Sequence, residues 1–161
     1  MGRIVFPPRA RRAREGAAAV EFGIVALPFF MMIFAILELG MVFVLDSVLN
    51  SAVMDTGRLV RTGEAEAAGF SAAVFKTQVC SRMNIFAGDC GNRLTVDVRE
   101  IPRFQTPSLP DPMETGAFED SSLAYANGQP GSLMVVRAWY RHTLFTPFLS
   151  QGLSRLNDGA A

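Results

Sequence analysis

The residues of this chain that could do chemistry are a few carboxylates, two cysteines and one histidine, and the first carboxylate stands in an unexpected place. In Arg14-Glu15-Gly16-Ala17-Ala18-Ala19-Val20-Glu21-Phe22-Gly23 an arginine-rich stretch turns apolar, and Glu21 lies at the threshold of the apolar run. A second carboxylate, Glu38, lies about two-thirds of the way along that run. A carboxylate held charged deep in hydrocarbon costs on the order of 2–3 kcal/mol, so each needs a reason. For Glu38 the reasons are a partner helix, protonation, or a helix tilt that lifts it to the outer interface. For Glu21 they are a pairing with a neighbouring positive group or a place among the headgroups.

The other candidates are weaker. Cys80 and Cys90 are the only cysteines. In an oxidising compartment an even pair reads as a disulfide, and closing so short a loop stabilises a fold by about 2.5–3 kcal/mol in the chain-entropy model. Two buried free thiols are the alternative. No metal site is expected, because only His142 could assist the cysteines and the ligand spacing is missing. No catalytic residue is expected either: His142 is the only histidine, which leaves few ways to build a Ser-His or Cys-His pair, and at a strand end it reads as a surface residue. Asp111, Glu114, Glu119 and Asp120 share a Pro/Gly-rich loop without the spacing of a calcium loop, so they read as solvated charge. No cofactor is implied.

The elements that position these groups follow from hydropathy. Phe22 to Leu45 is an apolar run of 24 residues, about 36 Å as a helix and enough to cross a hydrocarbon core of roughly 30 Å. It is too long for the apolar part of a cleaved signal peptide. Five arginines and one glutamate precede Gly16, giving the first sixteen residues a net charge of +4, and the remainder is net −4. A basic flank abutting a membrane-length run marks the cytoplasmic side and is no nucleic-acid footprint. The expectation is a basic leader over 1–16 without a fold of its own, since Pro7 and Pro8 oppose a helix. A long helix over 17–63 follows, membrane-spanning over about 22–45.

Beyond the run, Leu45, Leu49, Ala52, Val53, Thr56 and Val60 recur at helical spacing, with Asp46, Asn50, Asp55, Arg58 and Arg61 on other faces and Gly63 as a stop. A second helix is expected from Glu64 to about Arg82, with Phe70, Val74, Thr77 and Cys80 or Ser81 inward. Leu94 to Glu100 alternates as a strand, with Leu94, Val96 and Val98 inward and Thr95, Asp97 and Arg99 outward. Ser132 to His142 is the second strand, antiparallel to the first across a loop of about 30 residues, long for such a connection. A tail with Phe145, Pro147, Phe148, Leu149 and Leu153 could fold back on the sheet. The fold class is α+β: one long N-terminal helix, then a small domain over 64–161 with a helix and a two- or three-stranded antiparallel sheet.

The N-terminal stretch resembles the processing site of type IV prepilins, in which a basic leader ends in glycine and the fifth residue of the mature chain is glutamate. The resemblance places Gly16 last in the leader, Ala17 at the new N-terminus, Glu21 at the fifth mature position and Phe22 behind it. It implies that Glu21 pairs with the α-amino group of a neighbouring subunit. Within that class the chain is similar to the TadE-like pseudopilins of tight-adherence (Flp-type) pilus systems. The similarity rests on the start just quoted, on Leu27-Pro28, on Glu38-Leu39-Gly40 and on Asn50 to Arg58, a degraded form of an alanine-rich motif; Met41 replaces a common arginine.

The resemblance implies a minor pilin that helps assemble or initiate the pilus. Its expected partners are the prepilin peptidase, other pilins, the inner-membrane assembly platform and the lipid bilayer. It would sit in the bacterial inner membrane as a single-pass protein, with its N-terminus cytoplasmic and its C-terminal domain periplasmic. The competing expectation is an unprocessed signal-anchored envelope protein whose outer domain binds a ligand or partner. An anchored enzyme comes third.

Overall fold

A computed structural model of the chain describes residues 8–102, 106, 109–129, 131–146, 149 and 152. Helix α1 runs from Pro8 to Arg61, 54 residues, or about 81 Å. It begins inside the stretch expected to lack a fold. Proline opposes a helix only in the interior; at the first helical position its missing N–H costs nothing and its φ is already helical. Arg58 and Arg61 lie in the last turn, where the helix dipole favours positive charge. Gly63, with φ of 79°, ends the run in the left-handed conformation that glycine adopts without a side-chain clash.

The two halves of α1 live in different surroundings. Between Gly16 and Val44 large apolar side chains are exposed on every face, Phe22 at 71% and Phe43 at 72% among them. Its most apolar 18 residues have a mean hydropathy of 2.4 and are not buried within the protein, and the helix is long and apolar enough to cross a membrane. From Leu45 on, the expected amphipathic face is the buried one: Leu45, Ala52, Thr56 and Val60 are all covered.

The second helix departs from expectation. The chain breaks at Gly69, with φ of 63°, into a short α2 (Glu64–Ala67) and α3 (Ala72–Arg82). The Ser71 hydroxyl accepts from the Val74 N–H and caps α3. The break resets the helical phase, so the buried residues are Phe75, Val79 and then Met83, while Val74 and Thr77 face out. A 3-10 turn (Asn84–Asp89) and α4 (Cys90–Arg93) lead into β1 (Leu94–Ile101), which pairs antiparallel with β2 (Leu133–Tyr140). On the other edge of β1, residues 124–126 add one parallel rung: Val98 N–H donates to Ala124, and Ala126 N–H donates to Val98. The upper half of α1, α3 and β1 enclose the core around Phe75, Met83, Leu94 and Val98.

Candidate functional site

The apolar stretch of α1 carries one carboxylate at its start and another about two-thirds of the way along, and the structure treats them differently. Gly16, Ala17, Glu21 and Phe22 lie on one continuous helix and are exposed. Glu38 is 17 residues further on, about 26 Å along the axis, so the two acids do not meet. Glu38 is only 9% exposed, although Ile36 and Leu37 beside it are 61% and 64% exposed. What covers it is the chain's own C-terminal segment. The Thr146 backbone N–H donates to Glu38 Oε2 at 2.8 Å, and the Phe145 N–H donates to Oε1. Two N–H donors on one carboxylate replace much of the water it would lose.

The first residues of the tail reach α1: Leu144 and Thr146 are buried and Phe145 is 85% exposed. Leu149 N–H donates to Thr146 there, while Pro147, Phe148 and Leu153 lie outside the described residues. Between the segment and α1 opens a groove of about 740 Å³, walled by Phe34, Leu37, Met41, Ile85 and Phe145. His142, Asp89 and Arg93 form part of its lining, with Arg93 Nε 2.6 Å from Asp89 Oδ2.

The sequence also misplaced Asp97. Strand alternation puts it outward, but its side chain is wholly buried. Arg137, opposite it in the register, donates from Nε at 3.0 Å and Nη2 at 2.7 Å to Oδ2. Arg99 Nε and the Ala124 N–H each donate to Oδ1 at 2.8 Å. Burial alone would raise the Asp97 pKa; the Ala124 N–H, Arg99 and Arg137 outweigh it and hold the carboxyl below its usual range. The same arginines reach the loop, Arg137 donating to the Pro110 carbonyl at 2.9 Å and Arg99 to that of Ser122. The loop therefore covers the outer face of β1. The available signal was an acid flanked by Val96 and Val98, with arginines two residues on and in the partner strand.

Cys80 and Cys90 are joined in a disulfide, their Cα atoms 5.6 Å apart. It ties the end of α3 to the start of α4, and the Cys90 sulfur rests 3.4 Å from Met83 Sδ in the core. Among the described residues no group of three or more His, Cys, Asp or Glu side chains is placed to hold a metal ion. In the acidic loop Asp111 Oδ1 accepts from the Met113 N–H at 3.0 Å, and Thr115 donates to Glu119 at 3.1 Å.

Neither a curated protein nor a solved structure matches the chain. Residues 16–58 do match the family model described as TadE-like protein. That segment holds both carboxylates of the apolar stretch and most of the helix that reaches the core. Over that segment, about a quarter of the chain, the protein is similar to the TadE-like family.

Proposed function

We propose that this protein is a minor pilin of a tight-adherence pilus that takes part in the assembly or initiation of the fibre. The match to the TadE-like family supports a pilus-associated minor pilin. The observation that supports the finer reading is the placement of the matched motif: a glycine, a glutamate and an aromatic residue at prepilin spacing stand at the start of an apolar stretch whose large side chains are mostly exposed. An uncovered apolar helix has two partners, lipid before assembly and other pilin helices during it.

In this reading the N-terminal arginines stay in the cytoplasm, the small domain stands in the periplasm, and the helix anchors the chain in the inner membrane. The prepilin peptidase cuts between Gly16 and Ala17, at a residue where a helix unwinds at little cost. The new α-amino group of one subunit then pairs with Glu21 of its neighbour, which turns an expensive charge into a directional contact. The assembly platform would engage the same helix.

Mass spectrometry of the protein purified from membranes tests processing. A mature chain starting at Ala17 is expected, and an intact leader would instead favour a signal-anchored envelope protein. Glu21→Gln tests the pairing separately: processing should persist while pilus assembly falls, and unchanged assembly would refute the role of Glu21.

A further inference from the structure

We propose that the small domain does not stand clear of the bilayer but is seated in its outer leaflet, with Phe145 and Ile85 inserted among lipid acyl chains that fill the groove against α1. The inference rests on α1 lying in a membrane. Counted from Phe22, about 20 helical residues cross a hydrocarbon core of roughly 30 Å, which puts its outer boundary near Met41. Leu45 is already in the protein core at 5% exposure, so the small domain meets the helix within about one turn of that boundary. Glu38 therefore lies about one turn inside the boundary. The C-terminal segment hydrogen-bonded to it is held at that depth.

The side chains agree with this placement. Phe145 and Ile85 are 85% and 79% exposed, and they share the groove with Phe34, Leu37 and Met41 of the apolar helix. The apolar surface of the domain is thus continuous with the apolar surface of α1, and a lipid phase that covers one reaches the other. In water such a surface is a liability; at the leaflet it is the lower face of a docked domain. The polar groups of the same groove, the Arg93–Asp89 pair and His142, suit the headgroup layer just above. The carboxylate of Glu38 fits too: two backbone N–H groups that would be stranded in lipid satisfy it, and it satisfies them.

The test uses the full chain with Trp139→Phe, reconstituted in phosphatidylethanolamine–phosphatidylglycerol vesicles with or without brominated acyl chains. Single reporters are introduced as Phe145→Trp, Ile85→Trp and, for the helix, Phe30→Trp. Exposed positions accept a tryptophan without repacking. The expected result is blue-shifted emission from the Phe145 and Ile85 reporters, quenched by bromolipid as strongly as the Phe30 reporter and little affected by aqueous acrylamide. If acrylamide quenches them while bromolipid quenches only the Phe30 reporter, the seating is refuted and the anchor stands. If both quenchers fail until the protein is diluted in lipid, a second copy fills the groove and the proposal is wrong. If bromolipid spares the Phe30 reporter as well, the membrane reading falls and takes the seating with it.

Discussion

Removing the Asp97 carboxylate should unfasten the loop from the sheet and cost more than any surface change. In Asp97→Ala the Arg137 and Arg99 guanidiniums, only 20% and 25% exposed, lose their shared anion and face each other. The Ala124 N–H loses its acceptor as well. Breaking a buried ion pair by deleting one partner costs about 3–5 kcal/mol, and the arginines' partial exposure argues for the low end, about 3 kcal/mol. Asp97→Asn keeps an acceptor for Ala124 but not the charge, so roughly half that loss is expected. Urea unfolding of the full chain in detergent reads this through Trp139, because the Arg137 guanidinium lies 4.9 Å from its ring. Hydrogen exchange should show residues 109–126 opening first. The effect depends on pH with a definite sign. The folded pKa lies below the ordinary 3.8, so the contribution is full well above that value and is lost as pH falls through the folded pKa. A loss under about 1 kcal/mol for Asp97→Ala, or one that does not shrink in acid, would refute the account.

Three further outcomes follow from the same geometry. Glu38→Leu should raise amide exchange at Phe145 and Thr146 by freeing both donors, whereas Glu38→Gln, which keeps one acceptor oxygen, should raise it at only one of them. Reducing the Cys80–Cys90 bond, or Cys80→Ser with Cys90→Ser, should lower stability by about 2.5 kcal/mol or somewhat more, the excess coming from a polar atom at the core position of Cys90. Gly128→Ala should cost about 1–2 kcal/mol, since φ is +69° there and the added Cβ would collide with Met134.

What the sequence determined by itself is whatever depends on local pattern. The apolar run dictates a membrane-length helix because nearly every residue in it prefers lipid, and the spacing of Leu45, Ala52, Thr56 and Val60 dictates which face the domain covers. Alternation in Leu94 to Glu100 makes a strand for the same local reason, and two cysteines in a small core make a disulfide. The tertiary structure alone decided what depends on distant partners. Alternation cannot show that the outer face of β1 is roofed by a loop, so Asp97 read as solvated until Arg137, 40 residues away, came opposite. Nor can a hydropathy profile show that Glu38 is answered by backbone donors 107 and 108 residues further on. A side chain's own type states the cost of burying it; only the folded chain supplies the group that offsets that cost.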